Sequence, residues 1–309
     1  MDELGTHNAV TTSQSALKCL YFNADQLQNK LNELEIFLHK ENVDIAAIVE
    51  ISPKTRDLGI TDFIIEGYKK PIIRWEGRGV CLFVKDHIEL IEYPELENLY
   101  QPSIFCKVVC SKEQFFNLGV VYRSPNIDPS DDLKLRTQLD RVSQRFKSSN
   151  ERLLIVGDFN HPYINWKDGT CNKHSNHTSS LFLEIIHKNF LSQLVKTPTH
   201  HRAMQRPTLI DLVILNDRSL VSDDITHHPP LGMSHHSVLC FKVNIEIHKQ
   251  VNPTDPKFQI NRGDFDSMRN YVRSVDWNTM LDNDSSLDIW WENFYETYNY
   301  CVEHFIPKA

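Results

Sequence analysis

At six places in the sequence, a polar side chain ends or interrupts an apolar run of the kind that forms a buried strand. The six places are LKCLYFNA at Asn23, DIAAIVE at Glu50, NLGVVYR at Tyr122 and Arg123, LLIVGDFN at Asp158 and Asn160, LIDLVI around Asp211, and GMSHHSVL at His235 and His236. One acid of this kind could be a structural carboxylate that hydrogen bonds satisfy. Because a buried carboxylate is costly without a cation or donors, the six places together predict a functional site.

Several of these side chains suit a metal ion and a phosphate group. Glu50, with help from Asn23, offers the hard oxygen ligands that Mg²⁺ or Mn²⁺ prefers. Asp158 and Asn160 alternate where a strand ends, so both can point to the same side of a site. Tyr122 offers a hydroxyl to a phosphate oxygen.

A histidine and a carboxylate complete the predicted set. Asp211 is a natural orienting partner for His236, because a carboxylate can hold an imidazole in one tautomer. A cation on the phosphate, an activated water and donors for the developing charge are what metal-assisted phosphodiester hydrolysis requires. The residues therefore predict that reaction.

The elements that must position these residues are mostly strands. Strands are predicted at 17–24, 43–50, 79–85, 103–110, 115–125, 153–160, 209–216 and 237–247, and helices at 25–41, 131–147 and 178–194. Because several strands follow one another without a helix between them, a fully parallel doubly wound sheet is disfavoured. The pattern predicts an α/β fold, a four-layer α/β sandwich of two packed β-sheets flanked by helices, with a helical C-terminal extension.

The predicted organisation is a flexible leader over 1–16, one folded domain over 17–247 and a further segment over 248–309. Residues 248–265 contain two prolines and no periodic apolar face, so a linker is expected there. Apolar residues recur every three or four positions over 287–305, which predicts an amphipathic helix. Its apolar face needs a partner, either the preceding domain or a following domain that this chain lacks.

Composition limits the cellular setting. The net charge of −8 counts against a general attraction to nucleic acid, although a metal and a local basic patch still allow one. The seven scattered cysteines are odd in number, which favours a reducing compartment, the nucleus or the cytoplasm. The N-terminus lacks the basic and apolar regions of a secretory signal, and no apolar run reaches the roughly 18–20 residues of a membrane span.

Local basic groups would have to contact DNA phosphates. The candidates are Arg123, Arg202 and Arg206, which are predicted in loops beside the site. The alternative for each of them is a solvated surface charge. A zinc site is disfavoured, because adjacent histidines on an extended chain point opposite ways and the sequence has no CxxC spacing.

These motifs occur in the order found in the endonuclease/exonuclease/phosphatase superfamily, which the chain resembles over about residues 17–245. More narrowly, it resembles the apurinic-type endonuclease domain of non-LTR retrotransposon polyproteins. That likeness is carried by FNADQLQNKLNELEIFLHKENVDIAAIVE, GRGVCLFVKD, VVYRSPN, GDFNHPYINW and TLIDLVILN. Residues 248–309 resemble the connector that precedes the reverse transcriptase in those polyproteins, and the polymerase itself is absent here.

The resemblance implies a metal-dependent DNA endonuclease. Asn23 and Glu50 would form the metal end, with Glu50 as the direct ligand, and Tyr122 would contact the scissile phosphate. Asp158 would position or deprotonate the attacking water, or assist the leaving 3′ oxygen. Asn160 would help to hold the water and the phosphate.

The resemblance also implies a role for the histidine and a product. His236, oriented by Asp211, would stabilise the phosphorane-like transition state. The product would be a nick in double-stranded DNA with a free 3′-hydroxyl, which could prime reverse transcription. Element RNA or a reverse transcriptase domain would then be further partners.

The chain departs from the family pattern at one position. The family usually has Ser-Asp-His where this chain has Ser234, His235 and His236. An aspartate at 235 would lie near the metal, so His235 is a doubtful metal residue and its presence should lower metal affinity. A weakened or inactive DNA-binding relic of a mobile element is therefore one alternative, and a phosphatase of the same superfamily is another.

Overall fold

The protein is described here by a computed structural model that covers residues 16–52, 63–111, 114–222, 224–244, 259–280 and 287–307. Nearly all of the predicted leader and most of the predicted linker lie outside these residues. The chain divides into two compact units, Met1–His248 and Lys249–Ala309, and each is described by itself.

Two six-stranded mixed sheets and a two-stranded ribbon make up the strands described in the first unit. The first sheet has the order β13-β14-β1-β2-β4-β3. Its strands are β1 (Leu17–Asn23), β2 (Ile45–Val49), β3 (Ile72–Arg74), β4 (Val80–Val84), β13 (Thr226–His228) and β14 (Val238–Val243).

The second sheet has the order β11-β12-β8-β7-β6-β5. Its strands are β5 (Glu89–Glu92), β6 (Ser103–Val109), β7 (Phe115–Tyr122), β8 (Leu153–Asp158), β11 (Ser192–Gln193) and β12 (Asp211–Leu215). The ribbon pairs β9 (Ile164–Asn165) with β10 (Thr170–Cys171).

Each six-stranded sheet has one parallel pair at its centre, β1 with β2 and β7 with β8, and its other described pairs are antiparallel. A parallel connection needs a crossover, which α1 (Leu31–Glu41) supplies in the first sheet and α2 (Pro129–Ser148) in the second. The carboxyl ends of parallel neighbours meet at one edge of a sheet. This arrangement explains why polar residues follow these four strands.

The core has three apolar layers because the central strands are buried on both faces. In β8, Leu154 and Val156 face the first sheet, whereas Leu153 and Ile155 face the helices α2 and α3 (Thr178–Lys188). The outer face of the first sheet packs against α1. The predicted four-layer sandwich is therefore confirmed.

Two helix boundaries differ from the prediction. The segment predicted as a helix over 25–41 becomes helical only at Gln28, as a 3₁₀ turn that leads into α1. The helix predicted to reach 194 ends at Lys188, because Phe190 has a left-handed φ of +55° and the chain then enters β11.

The second unit contains α4 (Phe265–Ser274), α5 (Trp277–Met280) and α6 (Leu287–Phe305), so α6 has the predicted bounds. Within this unit α6 packs against α4, where Tyr271 and Tyr300 stack with ring centroids 4.6 Å apart. Helix α4 was not predicted from the sequence. Among the residues described here, no helix combines the length and the hydropathy needed to cross a bilayer.

Candidate active site

The polar residues predicted at strand ends converge at one edge of the two-sheet core. In the first sheet, β1 ends at Asn23 beside the end of β2, which is followed by Glu50. In the second sheet, β7 and β8 pair Tyr122 with Asp158. The neighbouring β12 begins with Asp211, opposite Asp158.

Asp211 and His236 form a buried pair that a further hydrogen bond, from Tyr21, holds in place. His236 Nδ1 lies 2.8 Å from Asp211 Oδ2, and the hydroxyl of Tyr21 donates to Asp211 Oδ1 at 2.7 Å. Burial would lower the pKa of His236, but the carboxylate of Asp211 outweighs it and raises that pKa to about 9. Burial likewise opposes charge on Asp211, yet its bonds to His236, Thr199 and Tyr21 lower its pKa. At neutral pH the pair is therefore an imidazolium held by a carboxylate.

Asp158 lies beside this pair, and its ligand atom, that of Asp211 and that of His236 all lie within 4.8 Å of one another. We call these three residues the buried trio. Burial, followed by repulsion from Asp211, raises the pKa of Asp158 well above its usual value. In its ionised form a carboxylate with a raised pKa is a stronger base, so an ionised Asp158 is suited to receive a proton.

Asn23 joins the two sheets at the site. Its Nδ2 donates to Glu50 Oε1 and to Asp158 Oδ2, each at 2.9 Å, while its Oδ1 accepts from the backbone N–H of Asp25 at 2.9 Å. The amide hydrogens, rather than the oxygen, therefore face the carboxylates. This orientation differs from the predicted oxygen ligand: Asn23 is a bridge that positions two acids.

Asp25 and Glu50 direct carboxylate oxygens at one positive group. Arg78 Nη2 lies 2.8 Å from Asp25 Oδ1 and 2.9 Å from Glu50 Oε2. Glu50 has a left-handed φ of +54°, and its side chain is 15% exposed, so solvent ions can reach it. Two carboxylates that converge on one cation form a donor set that fits Mg²⁺ or Mn²⁺.

The buried trio offers a second set of possible ligand atoms, but its chemistry fits a metal less well. The carboxylate of Asp211 raises the pKa of His236, and this disfavours the neutral imidazole that a metal ligand requires. The carboxylate of Asp211 is already engaged by its hydrogen-bond donors. The geometry thus favours the metal at the Glu50 end and proton transfer at the trio.

Tyr122 and Asn160 lie at the rim of this site. Tyr122 is buried, and its hydroxyl hydrogen-bonds Glu50; burial and the charge of Glu50 raise the pKa of that hydroxyl, which remains a donor at neutral pH. Asn160 has a left-handed φ of +48° and donates its side-chain amide to the carbonyl of Arg123 at 2.7 Å. Its backbone N–H donates to Asp158 Oδ1 at 3.1 Å.

His235 is exposed, whereas its neighbour His236 is buried. Its ring lies 6.2 Å from that of His200, which in turn lies 4.7 Å from the ring of His236. Burial and the charge of His236 lower the pKa of His200 to about 4, so His200 is neutral at physiological pH. The structure places no metal-ligating contact on His235 among the described residues.

Arg123, for which a DNA contact was predicted, is buried at the end of β7. Its side chain is 4% exposed and its Nε lies 2.8 Å from Asp132 Oδ1. It also donates to the carbonyl of Asn160 at 3.2 Å and so holds the turn after β8. Arg202 and Arg206 are exposed in the segment before β12, where no ion pair of either is found within the described residues.

Several residues that shape the site were not predicted as site residues. They are Tyr21, Asp25, Arg78, Thr199, His200 and Ser234. Asp25 could have been found, because it follows Asn23 by two positions at the end of a strand. Arg78 gave no such signal, since its proximity to Glu50 depends on the pairing of β2 with β4.

The resemblance inferred from the sequence is confirmed by comparison with known proteins. Residues 116–239 match a family described as endonuclease–reverse transcriptase. This match runs from β7 into β14, so it contains the buried trio and Tyr122 but neither Asn23 nor Glu50. The sequence matches none of the curated proteins with which it was compared.

Solved structures share the fold along most of the chain. The endonuclease domain of TRAS1, a telomere-specific non-LTR retrotransposon, is 17% identical with a TM-score of 0.57, over 74% of this chain and 98% of that domain. The AP endonuclease LMAP from Leishmania major is 12% identical with a TM-score of 0.56, over 74% and 88% of the two chains. A 3′ phosphatase, NExo from Neisseria, bound to a product DNA hairpin, is 14% identical with a TM-score of 0.55, over 74% and 99%.

Proposed function

We propose that this chain, which resembles retrotransposon endonucleases and has their fold, is a metal-dependent DNA endonuclease that nicks one strand and leaves a 3′-hydroxyl. The observation that carries the proposal is the buried trio, in which Asp158 is the base and His236, paired with Asp211, is the acid. Two further carboxylates of the site, those of Asp25 and Glu50, fit a divalent ion. A site of this kind suits phosphodiester hydrolysis better than other chemistry, because it combines a proton acceptor with donors for an anionic transition state.

In this proposal the residues have separate tasks. A divalent ion held by Glu50 and Asp25 would supply positive charge to the phosphate. Asp158 accepts a proton from the attacking water, for which its raised pKa makes it suitable. His236, kept cationic by Asp211, donates to a phosphate oxygen as negative charge develops.

The proposed reaction balances without a further reactant. The water oxygen forms a bond to phosphorus, the bond between phosphorus and O3′ breaks, and the proton that Asp158 takes from the water passes on to the leaving O3′. The products are a 5′-phosphate and a 3′-hydroxyl. Tyr122, whose hydroxyl stays protonated, donates to the phosphate throughout.

The proposed substrate is double-stranded DNA, and two of the similar proteins support this proposal. The neighbour NExo is bound to a product DNA hairpin, and TRAS1 is a retrotransposon. A 3′-hydroxyl left in target DNA could prime reverse transcription, so element RNA and a reverse transcriptase domain are proposed partners. Arg202 and Arg206 are the exposed cations proposed to contact the DNA backbone.

Nicking of supercoiled plasmid tests the proposal. The full chain should convert plasmid to the relaxed form with Mg²⁺ or Mn²⁺ and not with EDTA. Asp158→Asn and Glu50→Gln should each lower the rate by about 100-fold or more, since each removes a group that acts in the transition state. Glu89→Gln, which alters an exposed glutamate in β5, is the matched control and should leave the rate unchanged.

Product analysis separates this activity from that of a phosphatase. A DNA polymerase should extend the nicked strand directly if the product carries a 3′-hydroxyl. Release of inorganic phosphate from DNA 3′ ends without plasmid relaxation would contradict the endonuclease proposal and favour a phosphatase. Metal-independent nicking equal in all variants would point to a contaminant and would also contradict it.

A binding-only relic is a second candidate, because His235 occupies the position where the family usually has an acid. His235→Asp would add a carboxylate beside His236 and should increase the Mg²⁺-dependent nicking rate. The measurement is the nicking rate as a function of Mg²⁺ concentration in both proteins. If the variant shows no gain, the missing acid does not limit activity; metal-independent DNA binding without nicking in both proteins would favour the relic.

A further inference from the structure

Arg78 makes an ion pair that the proposed reaction does not use. Its guanidinium contacts both carboxylates that fit the metal, Asp25 at 2.8 Å and Glu50 at 2.9 Å. A divalent ion bound by the same oxygens would lie next to this positive group. Because two neighbouring positive charges repel each other strongly, the ion and the guanidinium must compete for Glu50 and Asp25.

The backbone of Arg78 is fixed, so only its side chain can make way. The carbonyl of Arg78 accepts from Ser52 N at 3.0 Å, and the carbonyl of Gly79 accepts from Glu50 N at 3.0 Å. Gly79 has a φ of +73°, and a Cβ there would lie 2.7 Å from Ile51 Cγ1, so the turn packs tightly against the end of β2. Movement is therefore confined to the guanidinium arm.

In this position the side chain of Arg78 does not satisfy all of its hydrogen-bond donors. The Arg78 side chain is 21% exposed, and its buried Nε has no hydrogen-bond partner in the described part of the chain. A buried donor without a partner costs free energy. The Arg78 side chain is thus held in place mainly by the carboxylates of Asp25 and Glu50. It would lose these contacts when a metal ion binds the same carboxylates.

A cleft beside Arg78 offers the displaced arm a new position. Its volume is 460 Å³, and Arg78, Tyr122, Ser124 and Lys134 are among its lining residues. Tyr122 is the proposed contact to the scissile phosphate, so the cleft continues directly from the reaction centre. A guanidinium that leaves Glu50 would find a phosphate of a bound strand there, and guanidinium and phosphate match in geometry and charge.

We propose that Arg78 is the resident counter-cation of Glu50 and Asp25, that a divalent ion displaces it, and that the displaced guanidinium binds a DNA phosphate in the cleft beside Tyr122. This inference rests on the proposed function for the identity of the substrate. Metal and DNA each favour the displaced arm, so each tightens the binding of the other by the same factor.

Metal binding without DNA tests the competition. Free Mn²⁺ is measured by electron paramagnetic resonance during titration of the full chain. Arg78→Gln should bind Mn²⁺ about three- to tenfold more tightly than the unsubstituted protein, because the competing charge is gone. Arg74→Gln is the matched control: Arg74 also pairs with two carboxylates, Glu92 and Glu97, and its loss should leave Mn²⁺ affinity unchanged.

DNA binding tests the second step. Affinity for a short duplex is measured by fluorescence anisotropy at several salt concentrations with Mg²⁺, in an Asp158→Asn background that prevents cleavage. Arg78→Gln should reduce the slope of log affinity against log salt by about 0.9, the value for one phosphate contact. The same substitution should remove most of the gain in DNA affinity that Mg²⁺ produces.

Each outcome decides the inference. Mn²⁺ affinity of Arg78→Gln that is equal to or weaker than that of Arg74→Gln overturns the competition, and an unchanged salt slope overturns the phosphate contact. If circular dichroism shows that Arg78→Gln is unfolded, Arg78→Lys replaces it. The lysine side chain is shorter than that of arginine, so its ammonium cannot reach the place between Asp25 and Glu50 that Arg78 Nη2 occupies. The Mn²⁺ affinity of Arg78→Lys should therefore exceed that of the unsubstituted protein, and equality counts against the inference.

Plasmid nicking by the unsubstituted protein is measured in parallel. Metal-dependent nicking without the Arg78 effects overturns this inference alone. The Mn²⁺ effect without any nicking overturns the proposed function and leaves the competition at Glu50 standing.

Discussion

Asp211 determines the charge of the histidine at the reaction centre. It is fully buried, yet it remains ionised because Tyr21, Thr199 and His236 all donate to it. In return it keeps His236 cationic to about pH 9, although burial acts in the opposite direction. In the proposed reaction, a residue that does not touch the phosphate thus decides whether the residue that donates to the phosphate is charged.

The pH dependence of nicking should report this control. Because the pKa of His236 is raised to about 9, activity that needs the imidazolium is present below that pH and falls as pH rises through it. In Asp211→Asn the largest raising charge is lost while burial and the charges of Asp158 and Glu50 remain, so the fall should move to a lower pH. The measurement is the rate of plasmid nicking against pH for both proteins, and coincident profiles would contradict it.

The same raised pKa links folding to pH. A group whose pKa is higher in the folded than in the unfolded state adds stability below its unfolded pKa. That stability disappears as pH rises through the folded value. The His236–Asp211 pair should therefore contribute fully to stability in mildly acid solution, and its contribution should fade as the pH rises toward about 9.

At the scale of elements, the turn after β8 depends on helix α2. Arg123, at the end of β7, pairs with Asp132 on α2 and donates to the carbonyl of Asn160 in the turn. Asp132 also pairs with Arg136 one helical turn further on. The helix therefore fixes the segment that carries Asp158 and Asn160.

Arg123→Met should destabilise the protein by about 3–5 kcal/mol, because it leaves the buried carboxylate of Asp132 with one of its two arginine partners. The measurement is chemical denaturation of both proteins. Lys134→Met, which breaks an exposed pair with Asp131, is the control and should change stability by about 1 kcal/mol or less. Equal effects of the two substitutions would show that Arg123 does not act as a buried partner.

The sequence predicted the site where strand ends determine it, and failed where partners come from other elements. Glu50, Tyr122 and Asp158 were predicted because parallel strands bring their carboxyl ends to one edge. The burial of Arg123 was not predicted, because nothing in its local sequence shows that Asp132 of α2 pairs with it. Arg78 was missed because its partner Asp25 lies 53 positions away in the chain.

At the scale of the whole molecule, every residue of the candidate site belongs to the unit that ends at His248. The second unit has its own helix pair, α4 and α6, and its Cys301 is buried. A chain ending at His248 should therefore nick plasmid at the rate of the full protein. Loss of nicking by a truncated chain that circular dichroism shows to be folded would contradict this independence.

The hydrogen bonds from Tyr21 to Asp211 and from Asn23 to Asp158 both run from the first sheet to the second. Such bonds have directional requirements, whereas apolar contact between two layers tolerates small displacements. Sliding one layer over the other by a few tenths of an ångström would disturb the acid and the base while the interior stayed dry. The protein would then lose its activity through sliding of the two sheets well before it unfolded.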